Sequence, residues 1–277
     1  LMKMPAFSAT VLGLVIVAMG AGCTSSDVVS PPEQWVLTIS DEFDGPEDSP
    51  PDSSLWTYDI GGDGWGNQQL EFNTDRVENV SLDGEGHLRI VAREESYEGN
   101  DYTSARIKTQ GLFEQKYGRF EARIKLPLGA GLWPAFWLLG ANIEEVPWPG
   151  CGEMDVMEFR GQNPGVVFGS LHGPGYSAGD SISTELSLPG SETFPDDFYV
   201  FAMDWDPGRI TFSVDDEVYQ IVRTSDIPPG GTWVFDHEFF IILNLAVGGT
   251  LGGPVGADTE FPATMLVDYV RIYERAQ

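Results

Sequence analysis

GEMDVMEFRG, residues 152–161, sets three carboxylates, Glu153, Asp155 and Glu158, in a run whose other members are those of a buried β-strand. A regular strand alternates faces with period two, so Glu153, Asp155 and Met157 would share one face and Glu158 would point the other way. One extra residue, a β-bulge between Asp155 and Glu158, returns Glu158 to the face of the other two acids. Val156 and Met157, two apolar residues in succession, are the trace of that bulge. All three acids then line one surface.

Acids this close would repel one another if all were ionised, so their proton affinities must separate. Retaining glycoside hydrolysis needs such a pair, a carboxylate nucleophile and a protonated carboxylic acid about 5 to 5.5 Å apart across the scissile bond. An aspartate between them could share a proton with the nucleophile. On spacing alone, an edge strand with a solvated acidic face fits the same residues equally well.

The rest of the chain is read as short runs rich in Val, Ile, Phe, Tyr and Trp, bounded by Gly, Pro, Asn and Asp. In GRFEARIKLP, Phe120, Ala122, Ile124 and Leu126 oppose Glu121, Arg123 and Lys125. No apolar 3.6-residue periodicity lasts beyond two turns, and 33 Gly with 19 Pro argue against long helices. The predicted fold is all-β, a sandwich of two antiparallel sheets. GGDGWGNQ, from Gly61, is expected to be a surface loop, since no helical pattern follows it to make a phosphate cradle.

A chain of 277 residues, 42% hydrophobic, can bury one large core without a second domain. Fifteen Lys and Arg against 43 Asp and Glu give a formal net charge of −28. That surface repels nucleic acid and anionic membranes and suits a neutral substrate, and it also serves solubility in salt with no partner at all. At the start, Lys3 precedes an apolar run from Val11 to Met19, too short to span a bilayer, then small residues ending at Cys23. We therefore expect a secretory signal over 1–22, a Ser-, Asp- and Pro-containing tether over 23–34, and the domain over 35–277. Gly20-Ala21-Gly22-Cys23 resembles a lipoprotein cleavage site, so export ends either in release or in a lipid anchor at Cys23. The remaining cysteine, Cys151, has no disulfide partner in the mature domain and is expected to be a small packed hydrophobe.

GLWPAFWLLG from Gly131, followed by WPGCGEMDVMEFRG from Trp148, resembles the laminarinase-type members of glycoside hydrolase family 16. DEFDG from Asp41, WGNQQLEFNT from Trp65, HGPGYS from His172, FFIILNLAVGG from Phe239 and VDYVRIY from Val267 match in the same order. The resemblance spans about residues 35 to 274. It implies a concanavalin A-like β-jelly roll with a concave cleft, endo-hydrolysis of β-1,3-glucan with retention, and mixed β-1,3/1,4-glucan as a second substrate. It implies Glu153 as nucleophile, Glu158 as acid/base and Asp155 as the assisting residue. The two residues between Asp155 and Glu158 are on the laminarinase side of the family, since strict mixed-linkage enzymes more often have one. The competing readings are a non-catalytic glucan-binding protein, which the presence of both glutamates opposes, and a family 16 hydrolase of another polysaccharide.

The same resemblance supplies binding residues. Trp133 and Trp137, four apart and so on one strand face, would offer indole faces to glucose rings at the cleft floor, although tryptophans usually pack in cores. Trp148 is open between the two roles. Asn67 and Arg106 would hydrogen-bond sugar hydroxyls; taken alone they are a turn asparagine and a surface arginine. His172 would face the cleft near the nucleophile, and Asn244, in a very apolar strand, needs a partner whether core or substrate supplies it. Leu251 stands where close relatives carry an aromatic platform. No cofactor is expected for catalysis. A structural Ca²⁺ is implied at Glu42, the Gly86 carbonyl and Asp268, oxygen donors of the right kind. We expect a monomer.

Overall fold

The structure, a computed structural model, describes residues 35–276. The signal expected over 1–22, the tether over 23–34 and Cys23 lie outside the described residues.

Two sheets form the sandwich read from the strand pattern, the jelly roll that the resemblance implies. One runs in the order Ile182–Ser187, Val166–His172, Glu153–Phe159, Leu132–Gly140, Phe239–Val247, Arg106–Lys108 and Thr57–Tyr58. The other runs Glu217–Arg223, Arg209–Val214, Tyr199–Asp206, Gly118–Lys125, Ala263–Arg275, Leu88–Tyr97, Asn100–Ser104 and Glu71–Asn73. Trp35–Asp41 and Val80–Leu82 complete this second sheet by pairing with Ala263–Arg275 and Leu88–Tyr97. Pairing is antiparallel except between Glu71–Asn73 and Asn100–Ser104, which run parallel, a departure from the purely antiparallel expectation. Among the described residues the α-helix is a single turn, Gly249–Gly252.

Alternation decides what each face does. Phe120, Ala122, Ile124 and Leu126 are buried in the core, as their spacing predicts. In the strand Phe239–Val247, apolar except for Asn244, the alternation is hidden because both faces are buried. Phe239, Ile241, Leu243, Leu245 and Val247 join the core, whereas Asn244 lines a cleft on the opposite face. Leu132–Gly140 behaves alike: Leu132, Phe136 and Leu138 are core, while Trp133, Ala135 and Trp137 line the cleft. Each such apolar side chain taken from water contributes about 1.5–3 kcal/mol.

Candidate active site

The strand Glu153–Phe159 contains the bulge. Against Val166–His172 its register runs Glu153 to His172, Met154 to Leu171 and Asp155 to Ser170, then slips by one so that Glu158 opposes Phe168. Against Leu132–Gly140 the slip falls between Asp155 and Met157. Met154, Val156, Met157 and Phe159 all enter the core. Glu153, Asp155 and Glu158 face the other way, into a cleft of about 890 Å³.

Indole N–H groups hold the acids. Trp148 donates to Oε2 of Glu153 at 2.9 Å, and Trp133 donates to Oε1 of Glu158 at 3.1 Å. Ser170 reaches Oε2 of Glu158 at 3.4 Å. Trp137 donates to Oδ1 of Asn244 at 2.8 Å, which answers the question of that buried amide's partner. The expectation for these tryptophans concerned their faces; the structure adds that each N–H orients a polar group of the cleft.

Arg106 is not a surface arginine. Its guanidinium is stacked between the rings of Trp65 and Trp137, 5.0 and 4.7 Å from their centroids, with Nε 2.9 Å from Oδ2 of Asp59. Asp59 also pairs with Lys108 at 2.5 Å. Asn67 is exposed at the cleft edge, where its backbone carbonyl accepts the Thr250 N–H at 2.7 Å.

His172 Nε2 lies 3.0 Å from Oδ2 of Asp155 and 3.6 Å from Oε1 of Glu153. The ligand atoms of these three residues fall within 4.8 Å of one another, a grouping that would suit a divalent cation by donor type. Nδ1 of His172, however, accepts the backbone N–H of Ala178 at 3.1 Å. The proton of the neutral ring therefore sits on Nε2, the atom a cation at this place would need bare.

Burial dominates the electrostatics. It pushes Glu153 up to about 8, with the Asp155 charge adding to the rise and the Trp148 hydrogen bond and Arg106 charge opposing it. Burial raises Asp155 too, while its hydrogen bond with Glu153 opposes the rise. Glu158 is held well above the ordinary carboxylate range by burial, then by the charges of Asp155 and Glu153. Three acids so placed do not all ionise. Burial and the two neighbouring charges together favour a proton on Glu158.

A protein-family model described as Glycosyl hydrolases family 16 matches residues 64–260. The chain belongs to glycosyl hydrolase family 16. The beta-glucanase of Rhodothermus marinus is 41% identical over 283 residues, covering 99% of this chain and 97% of that protein. The laminarinase catalytic domain from Thermotoga maritima superposes with a TM-score of 0.83 at 44% identity, over 88% of this chain and 100% of its own. The endo-beta-1,3-glucanase from Pyrococcus furiosus does so with a TM-score of 0.83 at 45% identity, over 88% and 95%.

In this family 16 chain the residues expected to bind Ca²⁺ have other partners. Strand register brings them into one neighbourhood, since Asp41 opposes Val270 and Leu88 opposes Val267. Yet both oxygens of Glu42 accept from Arg271, at 2.9 and 2.8 Å, and Oδ2 of Asp268 accepts from Arg123 at 2.6 Å. A cation would have to take both acids from guanidinium partners and leave two arginines uncompensated. With Gly86 offering only a carbonyl, the donor set as arranged does not fit Ca²⁺. Cys151 is buried, and burial first pushes its thiol up to about 11, in keeping with a packed, unreactive residue.

Sequence reasoning missed Trp65, Asp59 and Ser170. Trp65 had a signal, a lone aromatic in a glycine-rich loop. Ser170 shares a strand face with His172, two residues on. Asp59 had none, because its role comes from Arg106, 47 residues away, and is visible only in the pairing.

Proposed function

We propose that the protein is a retaining endo-hydrolase of β-1,3-glucan that also accepts mixed β-1,3/1,4-glucan. The observation that carries this reading is the bulge, which turns a strand's alternating acids into three carboxylates on one cleft wall. Glu153 attacks the anomeric carbon while Glu158, holding its proton in a buried setting, protonates the departing glycosidic oxygen. Glu158 then takes a proton from the water that hydrolyses the glycosyl-enzyme. Asp155 shares a proton with Glu153 and keeps the pair from carrying two negative charges side by side.

Trp133, Trp137 and Trp148 present rings to sugar faces, and Asn67, Arg106, His172 and Asn244 supply polar contacts beside them. Leu251 lines the cleft in place of an aromatic platform, so at that position it offers the sugar an aliphatic side chain. Because a polysaccharide does not cross a membrane, the reading places the protein outside the cytoplasm, a monomer released or tethered through Cys23.

Product analysis on laminarin, barley mixed-linkage glucan, agarose and carrageenan tests this, with Glu153→Ala beside the wild type. Oligosaccharides from laminarin that vanish in the variant are expected. Glucan retention without cleavage of any polymer would leave a binding protein instead.

A further inference from the structure

The loop after the strand Val166–His172 returns to the site in an unusual way. Gly173 and Tyr176 exchange backbone hydrogen bonds at 2.8 and 3.0 Å, and Tyr176, 1% exposed, donates its hydroxyl to the Thr232 carbonyl at 2.8 Å. Thr232 N–H in turn donates to the Pro174 carbonyl at 3.0 Å. Beyond this anchor Ala178 has φ +52, a left-handed conformation that costs a residue with a side chain about 1–2 kcal/mol. An outlier of this kind persists where its surroundings determine it, and it often marks function. Here its product is an amide N–H delivered to Nδ1 of His172.

That bond settles the tautomer. A proton on Nδ1 would face the Ala178 N–H head on, so the ring is neutral and its only donor is Nε2–H. Nε2 lies 3.0 Å from Asp155 Oδ2 and, outside hydrogen-bond distance, 3.6 Å from Glu153 Oε1. Asp155 is 3% exposed, and its Oδ2 has no aligned hydrogen bond, so the His172 N–H sits 3.0 Å from that oxygen without being spent on it. The other oxygen of Glu153 is already taken by Trp148.

We propose that His172 is a positioning residue, a neutral imidazole locked by the Ala178 amide with its proton on Nε2, which steadies the Asp155–Glu153 pair as the glycosyl-enzyme breaks down. The proposal rests on the retaining reading above. In that second step the bond between the anomeric carbon and Glu153 breaks, and its electron pair stays on the Glu153 oxygen. Water forms the new bond to the anomeric carbon and gives its proton to Glu158. A buried carboxylate regains its full charge at that moment, with Trp148 on Oε2 and the His172 N–H facing Oε1. A preset donor stabilises the forming carboxylate more than the neutral ester that precedes it. In the first step the same donor stabilises the attacking carboxylate, so its benefit falls on breakdown rather than attack.

The tautomer is read first on the wild type, labelled with ¹⁵N-histidine, since the chain has three histidines and the spectrum is simple. We expect one ring with a protonated Nε2 and a bare Nδ1 at neutral pH, lost in His172→Ala; an Nδ1–H tautomer or an imidazolium for His172 would overturn the proposal.

Kinetics follow on a dinitrophenyl β-laminaribioside, whose good leaving group makes breakdown of the glycosyl-enzyme limiting. His172→Gln places an amide N–H near the Nε2 position, whereas His172→Asn can serve only the Ala178 amide. We expect His172→Asn to lower kcat by about 10- to 100-fold with KM falling in step, and His172→Gln to stay within about fivefold of wild type. Equal losses in the two variants, the reverse order, or a raised KM at unchanged kcat would overturn the positioning role and leave His172 with sugar contact or packing alone. A wild type that cleaves no glucan would overturn the proposed function itself, and this role with it.

Discussion

The indole N–H of Trp148 donates to Oε2 of Glu153 at 2.9 Å, from a ring that is itself 42% exposed. One residue thus joins the solvent side of the cleft to the acid proposed as its nucleophile. A donor on a carboxylate favours the ionised form, so its loss makes Glu153 hold a proton more tightly. Trp148→Phe keeps the ring and removes the N–H. The acid limb of kcat/KM should therefore move to higher pH, with activity on that limb falling by about tenfold or more, as expected for a lost hydrogen bond to a charged group. A pH–rate profile checks this, and a change confined to KM would mean that the ring alone matters.

Glu158 is held above the ordinary carboxylate range by burial, so it keeps its proton into neutral pH and loses activity as pH rises through its shifted value. Glu158→Gln should abolish that basic limb. On laminarin it should lower kcat by about 10²–10⁴, the usual weight of a general acid, and on a dinitrophenyl glycoside it should slow the first step far less. Equal losses on both substrates would speak against Glu158 as the proton donor.

Glu71 is a fully buried acid with no part in the proposed chemistry. Its Oε2 accepts the Val247 N–H at 2.8 Å, Oε1 makes no well-aligned hydrogen bond, and burial pushes it up to about 8 from an ordinary 4.5, against the opposing Val247 and Asn73 contacts. The folded state therefore holds a proton that the unfolded state has lost. Stability from this group is whole below about pH 4.5 and declines as pH rises toward 8. Glu71→Gln keeps an acceptor for Val247 and carries no charge. We expect it to gain on the order of a few kcal/mol at pH 8 and almost nothing at pH 4.5, read by calorimetry at both. Equal changes at the two pH values would show that the acid is not protonated in the fold.

Glu42 and Asp268 already have guanidinium partners. EGTA should therefore leave Tm unchanged, and millimolar Ca²⁺ should add nothing. A Tm rise that saturates with Ca²⁺ would show that the cation displaces Arg271 and Arg123.

Much of this protein is legible in the amino-acid sequence by itself. Period-two alternation assigns Phe120, Ala122 and Ile124 to the core and puts Trp133 with Trp137 on one face, because a strand's two faces follow from its backbone geometry alone. The successive Val156 and Met157 announce the bulge, and with it the shared face of Glu153, Asp155 and Glu158. These are local facts, decided within about ten residues.

What only the tertiary structure decided is pairing. Trp133 meets Glu158 across 25 residues and Trp137 meets Asn244 across 107, and neither distance leaves a periodic trace in the chain. Arg106, a surface residue by its local sequence, is enclosed by Trp65, Trp137 and Asp59, and Glu42, a cation ligand by its donor type, gives both its oxygens to Arg271. The tautomer of His172 depends on the φ angle of Ala178, which sequence does not announce for an alanine. Residue type and spacing settle which way a side chain points; strand register and loop geometry settle what it meets there, and the charge and proton of each acid in the cleft follow from the meeting.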